Sequence, residues 1–404
     1  MSYSFIDLFA GAGGLSLGFE LAGFKSVLAI EADLWAAASY RANHQHSNVQ
    51  TRDIEDITDE EIESARAYRP VAVVGGPPCQ GFSHSNIVNR DPKDPRNSLF
   101  EQFVRFMRIV RPPLGVIENV PGLLTATTAT GQSVLSLIES EFRSIGYDCE
   151  WRVLEASAFG VPQRRQRLFI VALDRNRLPT FSWPQASHGP TEAPDLFGRQ
   201  QLSPLVTLWD AISDLPQITA ETFEEGATYR CPPQNTYQEL VREGATGPIL
   251  HHEPMKHTPR IIERFKAISF GLSESDVPAE LQPKRRGKPD ELSGKAYGQN
   301  SRRQDPHRPC STIVASSHTN FIHPFLDRNF TVRELMRIQS FPDSYVLCGK
   351  RAVLSRKLSL RKGLMDDIFL DQRTQIGNAV PPLLARAIGE AAMALLSEVK
   401  SNAA

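Results

Sequence analysis

The sequence predicts an α/β protein: a doubly wound sheet with a second, smaller, loop-rich domain. Three observations carry this. Short β-branched runs alternate with helix-period segments as far as Ala172, the pattern of repeated strand–helix units. From about Trp183 to Phe325 the helix period largely lapses while Pro, Gly, Gln, Ser and His rise. At 404 residues the chain also exceeds the size at which one hydrophobic core keeps growing, so two domains are expected.

Taken in order, Phe5-Ile6-Asp7-Leu8 is a short strand and Ala10-Gly11-Ala12-Gly13-Gly14 a Gly-rich turn. A helix through Leu15, Phe19 and Ala22 stops at Gly23, a usual helix-ending residue. Val27 to Ile30 and Val71 to Val74 are the next strands. Ser98-x-x-Glu101 is a capping box for a helix with Phe103, Phe106, Met107 and Val110 on its apolar face, ended by Pro112. Leu114 to Ile117 is a strand with Glu118-Asn119 at its carboxyl end, and Leu168 to Ala172 is another. Such units imply a parallel sheet. Residues 186–325 read as mainly β or irregular. Helical order returns at a second capping box, Thr331-x-x-Glu334, and after Pro381-Pro382, where Leu384, Ile388, Ala391 and Leu395 share one face. The expected domains are therefore 1–185, 186–325, and 326–404 returning to the first.

No apolar stretch reads as long enough to span a bilayer and no basic-then-apolar leader is visible, so the chain is expected to stay in the cytoplasm. The five cysteines (Cys79, Cys149, Cys231, Cys310, Cys348) are odd in number and never spaced as Cys-x-x-Cys, which argues against a disulfide framework or a metal site. A formal net charge of −1 gives no global signal for a polyanion partner. The distribution does: Lys284, Arg285, Arg286 and Lys288, then Arg302, Arg303 and Arg308, then Lys350, Arg351, Arg356, Lys357, Arg361 and Lys362 concentrate late in the chain.

Gly75 to Ser83 read Gly-Gly-Pro-Pro-Cys-Gln-Gly-Phe-Ser. A buried strand stopping at Gly-Gly-Pro-Pro leaves Cys79 on a Pro-fixed loop at the carboxyl end, where open α/β sheets bind ligands. Cys79 is thus a nucleophile candidate rather than a packed thiol. Around Gly11 the pattern Gly-x-Gly-Gly-Leu-Ser lacks the third glycine of a dinucleotide fingerprint, yet it sits between strand and helix, where helix N–H groups meet an anionic group. Glu31 ends the second strand, where an acidic residue takes a ribose hydroxyl pair, and the two features favour an adenosine-containing cofactor. Glu118 follows an apolar run, so it is expected to be partly desolvated with a raised pKa, a proton donor to a substrate nitrogen; the other reading is a capping or ion-paired glutamate. In Gln163-Arg164-Arg165-Gln166-Arg167, alternation puts Arg165 and Arg167 on one face of an extended segment, as a surface cluster or as forks for a carbonyl or phosphate.

This set of motifs, in this order, resembles the C5-cytosine DNA methyltransferase family. Asp7-Leu8-Phe9-Ala10-Gly11-Ala12-Gly13-Gly14 looks like its cofactor loop, Pro77-Pro78-Cys79-Gln80 its nucleophile motif, Glu118-Asn119-Val120 its acid, and Gln163 to Arg167 its Gln-Arg-Arg-x-Arg element. Arg333-Glu334 through Gln339-Ser340-Phe341-Pro342, and Gln375-Ile376-Gly377-Asn378-Ala379-Val380-Pro381-Pro382, resemble its late motifs. The resemblance covers roughly residues 4–183 and 325–395. Between them only Thr312-Ile313 matches, resembling a pair near the end of the family's target recognition domain. The spacing from Pro342 to Gln375 is longer than usual and basic, and it reads either as a phosphate contact or as a solvated face.

The resemblance implies a Rossmann-like methyltransferase domain with a target recognition domain. Its cofactor is S-adenosyl-L-methionine, lined by Phe9, Ala10, Gly11, Ala12, Gly14, Glu31, Asp53, Pro78, Leu99 and Asn378. It implies Cys79, Glu118, Arg165, Arg167 and Asn119 as catalytic residues, with a mobile loop Gly81 to Asn97 closing over double-stranded DNA. Gln80, Ser83, Arg96, Arg302, Arg303 and Thr312 are the expected DNA contacts. The chemistry agrees: carbon 5 of cytosine is a poor nucleophile, so a thiolate must first add to carbon 6. The base must also leave the stack. A stand-alone restriction-modification enzyme, monomeric and without a stably bound endonuclease, is the reading. A tRNA cytosine methyltransferase and a non-catalytic DNA-binding homologue are the alternatives, with a nicotinamide oxidoreductase the weakest.

Overall fold

The structure, a computed structural model of the chain, describes residues 3–78, 99–128, 131–190, 202–285, 288–292, 300–315, 321–353, 356–364 and 368–402. These pack as two compact units. The first comprises residues 1–159, 166–187 and 379–404; the second comprises 160–165 and 188–378.

The first unit is built on one seven-stranded sheet. Its strands are β1 (Ser4–Leu8), β2 (Lys25–Glu31), β3 (Asn48–Thr51), β4 (Ala72–Gly75), β5 (Leu114–Asn119), β6 (Tyr147–Glu155) and β7 (Gln166–Asp174), in the order β3-β2-β1-β4-β5-β7-β6. From β3 to β5 the pairing is parallel, as strand–helix repeats require. The all-parallel expectation fails at the edge. β7 runs antiparallel to both β5 and β6; the connection from β6 to β7, residues 156–165, holds one short helical turn, Ala156–Phe159, and no crossover helix of the kind a parallel pair needs.

Helices α1 (Gly14–Leu21), α2 (Leu34–Asn43), α3 (Asp59–Ser64), α4 (Leu99–Val110) and α5 (Val134–Ser144) connect the strands. Phe103, Phe106 and Met107 of α4 are buried, as the period predicts, in one core with Ile6, Val73, Ile117 and Ile170 of the sheet. Gly115 permits this packing: a Cβ there would lie 2.7 Å from the Met107 side chain. Ser98, the expected cap of α4, lies outside the described residues.

The second unit contains helices α6 (Leu208–Ile212), α7 (Thr236–Arg242), α8 (Pro259–Lys266), α9 (Val332–Ile338), α10 (Arg356–Arg361) and α11 (Gln372–Asn378). Its described strands pair only two by two, so the expected β character is corrected to short helices joined by irregular backbone. Buried irregular backbone leaves carbonyls without ladder partners. Arginine forks answer them here. Arg333 donates to the carbonyls of Leu250, Pro342 and Tyr345, while Arg337 bridges Asp214 and Asp343 and caps Ala211. Thr331 and Glu334 form the expected capping box, and Glu334 also takes both nitrogens of Arg328. Burial opposes the Glu334 charge, but Arg328 holds its carboxyl well below the usual range.

These bonds also correct the expected domain limits. The segment 326–378 packs within the second unit, and the chain re-enters the first only at Ala379. The re-entry is helix α12 (Pro382–Asn402), which crosses α1 through small residues. A Cβ on Gly18 would lie 2.3 Å from that of Ala385, and one on Gly389 would lie 2.8 Å from that of Ala22. Contrary to the sequence reading, one helical run among the described residues, Gln372–Ser401, is long and apolar enough to cross a membrane by length and composition; 61% of its most apolar window is buried inside the protein.

Candidate active site

The carboxyl ends of β1, β2, β4 and β5 carry the side chains of interest. After β1 the chain turns sharply, with Phe9, Gly11 and Gly13 all at positive φ (58°, 56° and 92°). Ala10 and Ala12 are buried beneath this turn, and α1 starts at Gly14 with no side-chain cap on its first amides. A Cβ on Gly11 would meet nothing within 4 Å, so the turn faces open space.

Glu31, at the end of β2, fixes the turn. Its carboxylate accepts N–H of Gly11 through one oxygen and of Asp33 through the other, each at 2.7 Å. Burial pushes its pKa up against those two bonds. Asp33 in turn caps α2 by accepting from Trp35 and Ala36.

Beneath the turn lies a network that the sequence did not reveal. Asp7 accepts from Ser16 at 2.6 Å, Ser16 meets the Tyr40 hydroxyl at 2.6 Å, and Tyr40 meets Ser26 at 2.8 Å. Burial pushes the Asp7 carboxyl up to about 8. The only signal available was an Asp within an apolar strand.

At the ends of β4 and β5 the spacing is closer still. A Cβ on Gly75 would lie 2.3 Å from the Leu8 carbonyl oxygen, and one on Gly76 would lie 3.2 Å from Glu118 Oε2. The two glycines therefore let β4 run tight against β1 and β5. Asn119 Nδ2 donates to the Pro77 carbonyl at 3.0 Å and its Oδ1 accepts from Val120. That clamp holds Pro77-Pro78, the approach to Cys79. Cys79, Gln80, Ser83 and Arg96 lie outside the described residues.

Glu118 is desolvated, at 9% exposed, and is ion-paired rather than facing apolar surface alone: Arg167 Nε approaches its Oε1 to 2.8 Å. Burial pulls the Arg167 pKa down while Glu118 opposes the shift. Arg165 does not form the expected shared face, because β7 begins only at Gln166. Its guanidinium is 1% exposed and donates to the carbonyls of Ile313 at 2.6 Å and Gly377 at 2.8 Å. These two bonds hold it in place, and its catalytic part stays an expectation.

Arg165 belongs to a knot joining motifs far apart in sequence. Gln163 donates to Gln339 Oε1 at 2.8 Å and accepts from Ile313 N, Gln339 donates to the Ile376 carbonyl, and Thr312 donates to the Arg164 carbonyl at 2.6 Å. Gly377 must be glycine here, since a Cβ would lie 2.5 Å from backbone atoms of Val314 and Ala315.

The remaining expected residues are dispersed. Asp53 caps a short helical turn by accepting from Glu55, Pro78 is half-buried, and Leu99 opens α4 against the core. Asn378 is exposed at the end of α11 in the second unit. Arg303, expected on DNA, is corrected: it is 6% exposed, donates to the carbonyls of Phe265, Ile268 and His323, and pairs with Asp327 at 2.6 Å. Arg302 is half-buried beside it, and Thr312 spends its hydroxyl proton on Arg164.

Residues 3–394 match the family described as C-5 cytosine-specific DNA methylase. The chain belongs to that family. It is a DNA (cytosine-5)-methyltransferase, and the tRNA and non-catalytic alternatives are not favoured. It is 44% identical to the type II methyltransferase M.DdeI of Desulfomicrobium norvegicum over 95% of this chain and 87% of that one. It is 33% identical to type II methyltransferase M1.HphI of Haemophilus parahaemolyticus over 97% and 87%. In fold it is similar to a prophage-encoded DNA modification methyltransferase of Escherichia coli, with a TM-score of 0.70 at 24% identity, covering 98% of this chain and all of that structure.

Proposed function

We propose that this methyltransferase is a type II modification enzyme that methylates carbon 5 of a flipped-out cytosine in one duplex sequence, through a covalent bond from Cys79. The observation that supports this is the pairing of Glu118 with Arg167 beside the Asn119–Pro77 clamp, two residues before Cys79 in the chain. The Cys79 thiolate adds to carbon 6 and raises electron density at carbon 5. Glu118, a carboxylate beside Arg167 until the base enters, holds a solvent-derived proton at ring nitrogen 3, and Arg167 supplies positive charge at the carbonyl oxygen. Once the methyl group is on carbon 5, water takes the proton from that carbon, the proton on ring nitrogen 3 returns to Glu118 and the thiolate is expelled, restoring the ring.

S-adenosyl-L-methionine, when bound, supplies an electrophilic methyl group. The residues fit it: the turn from Phe9 to Gly13 faces open space, α1 begins with uncapped amides, and Glu31 fixes Gly11 from below. Phe9, Gly11, Gly14, Glu31, Asp53, Pro78, Leu99 and Asn378 are assigned to hold it. Sequence choice is assigned to residues 186–325, with Arg302 as the base-reading candidate. The enzyme acts on DNA as a cytoplasmic monomer, alongside an endonuclease that it does not stably bind.

Base-resolution mapping of 5-methylcytosine in DNA from cells expressing the chain tests this. One recurrent sequence context is expected to carry the mark; unmodified DNA overturns the proposal.

A further inference from the structure

The second unit holds a cavity of about 680 Å³ that methyl transfer does not use. Lys256, Lys350, Arg351 and Arg373 line it against one carboxylate, Glu253, with Phe223 on its apolar side. Glu253 is already matched by Arg351 at 2.9 Å, which leaves the cavity cationic. Arg373 is the decisive side chain. It is 2% exposed, one of its terminal nitrogens donates to the Phe330 carbonyl, and its Nε has no hydrogen-bond partner among the described residues. A nearby carboxylate, Asp371, accepts backbone N–H of Val353 at 2.6 Å and of Thr374 at 2.7 Å.

Four cations facing one carboxylate repel one another across the cavity, and an oxyanion placed among them relieves that repulsion through charge-assisted hydrogen bonds. Burial pulls Arg373 down to about 10, so it remains charged near neutrality. A monatomic anion would leave most of the volume empty. A tetrahedral oxyanion can instead meet Arg373 and the exposed lysines together, with room beside Phe223 for a sugar or base.

We infer that this cavity binds a phosphate group, either one from the backbone of DNA or one carried by a free nucleotide. The first source rests on the DNA-methyltransferase reading, whereas the second does not.

Two measurements on the full chain test it, each with Lys256→Glu and Arg373→Gln variants. Calorimetry with inorganic pyrophosphate is expected to show binding by the unaltered chain, weakened about tenfold or more in either variant, the worth of a charge-assisted hydrogen bond. Lys256 is exposed, so its variant keeps the test valid if Arg373→Gln fails to fold. The second measurement is the salt dependence of duplex DNA binding. A log–log slope shallower by about 0.9 per lost contact in the Lys256 variant assigns the site to backbone phosphate. An unchanged slope with weakened pyrophosphate binding assigns it to a free nucleotide. Absence of pyrophosphate binding together with an unchanged slope overturns the inference. Methylation by the same preparations separates the two readings: an unaltered chain that binds pyrophosphate but transfers no methyl group sinks the proposed function and leaves this site standing.

Discussion

Arg167 Nε lies 2.8 Å from Glu118 Oε1, with the two side chains 12% and 11% exposed. Each holds the other's charge in a place where water can do little of that work. Removing one partner leaves an uncompensated buried charge, which typically costs about 3–5 kcal/mol. Arg167→Ala should therefore lower folding stability as well as turnover. Glu118→Gln keeps the shape and should slow kcat with little change in affinity for S-adenosyl-L-methionine. Denaturant melts and single-turnover rates check the pair; a Glu118→Gln enzyme of full rate would remove the glutamate from the chemistry.

Glu31 holds the turn after β1 through Gly11. Glu31→Ala should weaken S-adenosyl-L-methionine binding by about 1–3 kcal/mol, from lost charge-assisted bonds and a loosened turn. Calorimetry reads the affinity directly, and unchanged binding would show that the turn holds its form without the carboxylate.

Cys79→Ala should abolish methyl transfer while leaving cofactor affinity nearly intact. Duplex DNA containing 5-fluorocytosine, which cannot lose its substituent at carbon 5, should trap an adduct with the unaltered chain alone. An adduct persisting in the variant would place the nucleophile elsewhere.

Gly377→Ala should destabilise the second unit by about 1–3 kcal/mol, the usual range for overpacking. The added carbon would lie 2.5 Å from backbone, which has no rotamer to yield, at the residue whose carbonyl receives Arg165. A midpoint within error of the unaltered chain in urea would contradict this contact.

Asp7 should make stability fall as pH rises. Its carboxyl is held up at about 8 against an ordinary 3.8, so between those values the folded chain keeps a proton that the unfolded chain has lost. Stability from this group is complete below the window and declines across it. Glu31, also pushed up by burial, adds slope of the same sign. Asp7→Asn should flatten part of the decline and be more stable than the unaltered chain at the upper end, measured by denaturant unfolding at pH ~4 and ~8. An unchanged pH slope would refute it.

Much of the first unit was legible because its signals are local. β-Branched runs, the period of α4 and the turns at Gly11 and Gly75 each follow from a few consecutive residues. The second unit was not. Its irregular backbone is held by buried arginines, and an Arg that answers carbonyls from a distant loop reads, in one dimension, like an Arg on a solvated or DNA-facing surface. Arg303 and Arg165 are the two cases.

The sequence by itself determined the candidate residues and their order: Cys79, Glu118 with Asn119, and Arg167. Only the tertiary structure decided which charges meet. Glu118 finds Arg167 because β5 and β7 pair antiparallel, a register set by packing across the sheet rather than by either strand alone. Gln163, Thr312, Gln339 and Gly377 likewise converge through hydrogen bonds spanning many residues. The physical reason is range: turns and periods are fixed by neighbours along the chain, whereas a buried polar group takes whichever partner the closed fold brings within about 3 Å.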